Sequence, residues 1–314
     1  MKKRIAIVRG GNLRSFRDSV ESGEIALKHL GEDYEVVDLV VDPDGSWSRD
    51  GEEILPSKAL VGIDLVFNAL HGHNEENQQV QKTLDQWYVP YTSAEPTGSA
   101  LAYHKFHAKK LFKDLGIPSP HSWRVDLSAG SAEEISENLF KQILIPAVVK
   151  PCKGHGWEHV YSARTKDELT AALESIKEFT DDIIIEEYIE GQEVHVTVIE
   201  NFRNEPFYTP FCVESRVGED GTLACLPATT VLKSDYHKLR EYSVEAHKML
   251  HMKHYSVSDF IIHPTRGIFI LETNSLPSLE ENGIVQTGLE SVGSSMREFL
   301  RHVVEEAAKE KSSK

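Results

Sequence analysis

Hydrophobic and polar positions alternate along the chain between a helical and a strand period. Residues 4–11 read R-I-A-I-V-R-G-G, a short apolar run closed by two glycines, the pattern of a buried strand. Residues 19–30 carry helical spacing through Val20, Ile25, Ala26 and Leu30, with Gly31 as the stop. Residues 35–41 and 64–70 return to strand, and residues 78–88 to helix. Strand and helix in turn predict a small parallel α/β domain over residues 1–98. In such sheets ligands collect beyond the carboxyl ends of strands, where Gly10 and Gly11 permit close backbone approach.

The apolar spacing over residues 99–115 predicts one helix, stopped by Gly116 and Pro118. It places Lys105 and Lys109 on one face, where solvated lysines are the default. A short strand around Trp123 and a helix over 131–143, opening S-A-E-E, come next. The run I-P-A-V-V-K-P is a buried strand ending in Lys150, and a lysine there has to pair or face a cleft. Residues 152–159 form a glycine-containing loop, 158–163 a return strand, and 165–179 a helix with a Thr165/Glu168 capping box. A buried strand then ends at Glu186, Gly191 marks a link, and Glu193 opens an alternating strand. Helices over 236–249 and 294–309 complete the pattern.

Residues 256–275, S-V-S-D-F-I-I-H-P-T-R-G-I-F-I-L-E-T-N-S, read as a β-hairpin. With Thr265 and Arg266 as the two central turn residues, Asp259 falls opposite Glu272, and Asn274 shares their face. Opposed carboxylates at roughly 4.5–5.5 Å between β-carbons repel unless a cation or shared proton separates them. Three hard oxygen donors suit Mg²⁺ with nucleotide phosphates, and a solvated acidic face is the plainer alternative.

Composition narrows the function classes. The 314 residues leave room for two or three domains, and a net charge of −16 argues against a nucleic-acid or acidic-membrane binder. Three cysteines without C-x-x-C spacing argue against a disulfide framework or thiolate zinc site and fit the cytoplasm. No apolar run approaches the length of a signal-peptide core or a membrane span.

The ordered set of elements resembles the ATP-grasp ligases, and among them the D-alanine–D-alanine ligases. The landmarks are G-G, A-L-H-G, V-P-Y-T-S, Lys105 with Lys109, L-G-I-P-S-P, A-V-V-K-P, I-I-E-E-Y-I-E-G-Q-E and D-F-I-I…I-L-E-T-N-S-L-P. The resemblance implies an α/β and α+β chain: a small N-terminal domain (1–98), then two α+β lobes (99–182 and 183–314) that sandwich ATP. It implies that Lys105 and Lys150 contact phosphates, Glu186 and the backbone of Glu187 and Ile189 hold adenine, and Glu193 holds the ribose. Asp259, Glu272 and Asn274 would carry Mg²⁺, with Mn²⁺ as a substitute, and His71, Lys150 and Ser19 are candidate catalytic residues. A helix N-cap is the blander reading of Ser19.

Departures from the family pattern collect at the amino-acid end. Ser15 stands where the family has a glutamate, Val257 where it has an arginine, and Gly283 where it has a serine. The clamp loop has no counterpart between Val213 and Lys233, where Arg216 or Lys233 would substitute, and His155 in the loop is placed to reach phosphate. The expectation is an ATP- and Mg²⁺-dependent carboxylate–amine ligase with an altered substrate. The alternatives are a divergent D-alanine–D-alanine ligase and a nucleotide-binding protein without ligation. Partners are small carboxylates and amines, and the N-terminal domain offers a surface for a homodimer.

Overall fold

The computed structural model describes residues 2–11, 13, 15–71, 75–154, 159–218 and 223–310. His155 and most of the loop expected over 152–159, like the segment after His71, lie outside the described residues. In the first unit β1 (Arg4–Gly10), β2 (Glu35–Val41), β3 (Trp47–Arg49), β4 (Glu52–Glu53) and β5 (Leu65–Asn68) form one sheet, in the order β4-β3-β2-β1-β5. β1 runs parallel to β2 and β5, as the alternation predicts. β3 and β4 add an antiparallel edge of three and two residues, too short for a period to reveal. Helices α1 (Phe16–Leu30), α2 (Pro56–Ala59) and α3 (Glu75–Gln86) accompany this sheet.

The helix expected over 99–115 is two: α4 (Pro96–Tyr103) and α5 (Lys105–Asp114). Between them His104 is extended (φ −92°, ψ 91°) and bridges to Lys153, and the Lys105 N–H donates to the Cys152 carbonyl at 2.8 Å. Backbone committed to a neighbouring segment cannot also continue the helical ladder, a tertiary effect that apolar spacing does not carry. Lys105 thereby becomes the first residue of α5, with Lys109 one turn on, and both are buried.

A four-stranded sheet follows, β6 (Ser122–Asp126), β7 (Ala147–Pro151), β8 (Tyr161–Ala163) and β9 (Asp182–Glu187), in the order β6-β9-β7-β8. Its helices are α6 (Ala132–Leu139), capped by a Ser131/Glu134 box, and α7 (Lys166–Lys177), capped by Thr165. β9 pairs within this sheet, although it starts at the boundary drawn after residue 182. The third sheet joins β10 (Gln192–Glu200), β11 (Phe207–Tyr208), β12 (Val213–Val217), β13 (Leu223–Pro227), β14 (Tyr255–His263) and β15 (Gly267–Asn274). Helices α8 (Lys233–Met249), α9 (Ile284–Ser291) and α10 (Met296–Glu310) complete the chain. α10 closes back on the first unit: Phe299, Leu300 and Val303 share one buried cluster with Ile5, Ile7, Phe67 and Tyr255. The three cysteines are unpaired.

The β14–β15 hairpin reaches its expected pairing by an unexpected route. Asp259 does lie opposite Glu272. The connection, however, runs from His263 to Gly267 and holds three residues rather than two, with Gly267 at φ 90°. The Thr265 and Arg266 N–H groups donate to the His263 ring nitrogen at 3.1 and 3.0 Å. That shifts the register near the turn by one, and a bulge after Phe260 and Ile270 shifts it back, leaving Leu271 unpaired. Bulges re-aim side chains next to functional sites, and here the bulge restores the face shared by Asp259 and Glu272.

Gly191, between β9 and β10, presses on this hairpin: a β-carbon there would lie 2.3 Å from the Ile262 carbonyl oxygen and 2.8 Å from Ile261 Cγ2. Gly191→Ala is expected to cost ~1–3 kcal/mol through overpacking, read as a lower urea midpoint at an unchanged slope.

Candidate active site

A cavity of about 360 Å³ is lined by both the four- and six-stranded sheets, and Asp18 and His71 of the first unit also line it. Its walls include Lys105, Lys150, Glu186, Glu187, Ile189, Glu193, Asp259, Glu272 and Asn274. The nucleotide- and metal-binding candidates, with His71, therefore line one space, while Ser19 does not. That hydroxyl is buried between the Gly10 N–H (2.8 Å) and the Ala69 carbonyl (2.9 Å), where it ties β1 to the end of β5. The N-cap position of α1 belongs to Ser15, whose hydroxyl donates instead to the His71 carbonyl at 2.9 Å.

The floor of the cavity is a buried charge cluster. Glu186, 3% exposed, faces Lys150 at 2.9 Å through one oxygen and Lys109 at 3.1 Å through the other. The three residues come from β9, β7 and α5. Burial opposes the charged form of Glu186, but the two ammonium groups outweigh it and hold its pKa below the usual carboxylate value. Burial likewise opposes Lys150, where Glu186 and Glu272 win and the pKa rises. Lys109 is the group that yields: burial, with repulsion from Lys150, pulls it down to about 8 despite Glu186. Lys109 Nζ and Glu186 Oε1 have no aligned hydrogen bond, so hydrogen-bonding capacity at the floor is unused.

At the hairpin end the two carboxylates are held by Lys105 and His195 rather than by each other. Lys105 Nζ donates to Glu272 Oε2 at 2.6 Å and to the Gly154 carbonyl at 2.5 Å. Asp259 Oδ1 meets His195 Nδ1 at 2.6 Å, and Asp259 Oδ2 accepts from Asn274 Nδ2 at 3.1 Å. Burial works against a charged His195, but Asp259 prevails and its pKa is raised. Burial also lifts Glu193, reinforced by Asp259 and Glu272. Among the described residues no three His, Cys, Asp or Glu side chains gather as a metal cage. Two opposed carboxylates and an amide on one cavity wall still fit Mg²⁺, which takes one or two carboxylates and completes its shell with water and phosphate oxygens.

His71 is buried and fixed by the Leu276 carbonyl at 2.9 Å and the Ser22 hydroxyl at 2.7 Å. The Glu187 N–H is committed to the His121 carbonyl at 2.9 Å. The Glu187 carboxylate holds Arg266, at the hairpin turn, at 3.0 and 3.1 Å, linking the two sheets across the cavity. Val257 lines the cavity at 1% exposure. Between Val213 and Lys233, β12 and β13 pair antiparallel, and Arg216 there turns to Glu214 at 2.5 Å.

Sequence reasoning missed His195 and Asp18, which line the cavity, and Arg266, which pairs with Glu187. His195 was findable, because in E-V-H-V-T-V it shares a strand face with Glu193. The others reach the site only through tertiary approach and leave no periodic signal.

Solved structures of ligases share this architecture. The chain aligns over 98% of its length, and 100% of the other, with the VanG D-Ala:D-Ser ligase from Enterococcus faecalis (TM-score 0.85, 20% identity). It aligns over 100% of its length, and 99% of the other, with the D-alanine–D-alanine ligase from Bacillus anthracis complexed with ATP (TM-score 0.81, 20% identity). The fold is the ATP-grasp fold. The family model described as D-ala D-ala ligase C-terminus matches residues 111–305, and the chain belongs to that family. D-alanine–D-alanine ligases from Marinomonas sp. (strain MWYL1) and Aquifex aeolicus (strain VF5) are each 27% identical to it. They align over 96% of this chain and 95% and 99% of their own lengths.

The Lys109 ammonium sets a pH dependence. Its folded pKa lies below the unfolded value, so between pH about 8 and ~10.4 the unfolded chain binds more protons and stability gains as pH rises. Thermal unfolding of the wild type should therefore improve across that window relative to Lys109→Met, which lacks the group.

Proposed function

We propose that the protein is an ATP- and Mg²⁺-dependent carboxylate–amine ligase that works through an acyl phosphate. The observation that carries this reading is the opposed Asp259/Glu272 pair, kept apart by Lys105 and His195 on the wall of a cavity floored by Lys150 and Glu186. Relatives named as D-alanine–D-alanine ligases over nearly the full chain, and a neighbour solved with ATP, support it. Glu186 offers an acceptor for the adenine amino group, the peptides of Glu187 and Ile189 flank the ring, and Glu193 takes the ribose. Lys105 and Lys150 neutralise phosphate charge. Asp259, Glu272 and Asn274 hold Mg²⁺, which when bound screens the phosphates and aligns them for in-line transfer.

In the first step a substrate carboxylate oxygen bonds to the γ-phosphorus and the bond to ADP breaks. In the second the amine nitrogen bonds to the acyl carbon, inorganic phosphate leaves, and the amine proton passes to solvent. The chain's own contribution is to place both reactants and neutralise developing charge, with His71 at the substrate end held in one orientation. A D-alanine–D-alanine ligase is the second reading, favoured by the names of the full-length relatives. No helix among the described residues is long and apolar enough to cross a membrane. We place the enzyme in the cytoplasm, acting on small molecules, as three units near 1–98, 99–182 and 183–314, with the first unit as a dimer surface.

Mg²⁺-ATP should raise the melting temperature, and Glu272→Gln should remove that rise or reduce ADP release by ~100-fold, in the range of losing one charge-stabilising group. A wild-type melting temperature indifferent to Mg²⁺-ATP would contradict the ATP assignment.

A further inference from the structure

The two carboxylates of the hairpin are held in different ways. Glu272 is met by Lys105, a long flexible side chain that arrives from α5. Asp259 is met by His195, its direct cross-strand partner in the pairing of β10 with β14. The distance from His195 Nδ1 to Asp259 Oδ1 is 2.6 Å. The other side of the ring is engaged as well, with Nε2 3.0 Å from the Ser215 hydroxyl on β12. β12 is the next strand of the sheet, so one hydrogen-bonded row crosses three neighbouring strands and ends on Asp259.

The chemistry of this row suits it to hold a carboxylate still. A carboxylate only accepts, so the ring proton sits on Nδ1 and is donated to Oδ1 whichever role the Ser215 hydroxyl takes at Nε2. His195 is 5% exposed and pinned at both nitrogens, so it cannot swing from Asp259 without giving up two bonds. The second Asp259 oxygen accepts from Asn274 Nδ2 at 3.1 Å. Each Asp259 oxygen thus has one donor and, with two lone-pair sites, capacity for a ligand besides. His195, Ser215 and Asp259 all line the cavity. Carboxylates that hold a metal are oriented by such hydrogen bonds, and losing one of these outer partners weakens metal binding ~10–100-fold.

Resting on the ligase reading above, we propose that His195, backed by Ser215, is a positioning residue that fixes Asp259 for the divalent metal carried with the nucleotide. Lys105 gives way to phosphate when nucleotide binds, whereas His195 stays on Asp259 and keeps its carboxylate in one orientation. His195 supplies alignment and touches no reacting atom. An apolar residue of similar size would serve the sheet as well, so what the histidine adds is its hydrogen bond to Asp259.

The test measures what the metal adds to nucleotide binding. The full-length protein is titrated calorimetrically with a non-hydrolysable ATP analogue, once with Mg²⁺ and once with EDTA. The ratio of the two dissociation constants is then compared among variants. His195→Phe keeps a ring without the donors, and should lower the advantage given by Mg²⁺ ~10-fold or more while the EDTA value stays within about 2-fold. His195→Asn, which places an amide N–H near the position of Nδ1, should restore most of it. Ser215→Ala loses only the outer bond and should lower the advantage ~3-fold. It also carries the test should His195→Phe not fold. A merely structural histidine would weaken both dissociation constants alike. An advantage unchanged in His195→Phe, with the wild type still favouring Mg²⁺, overturns the inference and leaves the ligase reading standing. His195→Asn as poor as His195→Phe overturns the hydrogen bond to Asp259 as the cause, and an unchanged Ser215→Ala overturns the backing by Ser215. A wild type that binds the analogue equally well with Mg²⁺ and with EDTA removes the metal assignment and the inference together.

Discussion

A carboxylate at 3% exposure survives in a protein interior only if its charge is met, and Glu186 is met twice, by Lys150 and Lys109. Because the three groups sit on β9, β7 and α5, one electrostatic requirement fixes how a helix approaches a sheet. The break at His104 serves the same end, starting α5 at Lys105, so that successive turns of one helix deliver one lysine to Glu272 and another to Glu186. A buried cluster of this kind gains little net stability over an apolar one, and its value lies in presenting charge in a dry space. The depressed Lys109 shows the strain of the arrangement: one carboxylate cannot fully satisfy two buried ammonium groups.

The hairpin solves a related problem with backbone geometry. Asp259 and Glu272 would repel if left facing each other, and the chain holds each on a basic side chain from another element, Lys105 and His195. On the ligase reading, Lys105 stands where metal and phosphate would bind, and ligand binding would exchange this partner. Arg266 at the turn extends the hairpin to Glu187 and couples the two walls of the cavity.

Much of this was legible in the chain itself, and for identifiable reasons. Lysine at the end of an apolar strand, and two carboxylates at matching distances from a turn, are local patterns with local physical costs, so Lys150, Asp259 and Glu272 could be read directly. The pairing of the hairpin came out as expected although its turn did not, because the longer connection and the bulge at Leu271 offset each other. The single helix expected over 99–115 failed at His104, whose conformation is set by a strand about fifty residues away in sequence. Ser19 matched by position, yet its hydroxyl is consumed in binding Gly10 to Ala69.

The account depends on Lys105 and Glu272 changing partners when nucleotide arrives. A crystal structure with Mg²⁺ and a non-hydrolysable ATP analogue tests this most directly. It should show Lys105 released from Glu272 and turned to phosphate, with Glu272, Asp259 and Asn274 around the metal and adenine against Glu186. Nucleotide bound elsewhere, or bound in the cavity with the Lys105–Glu272 pair intact and no metal beside Asp259, would contradict it.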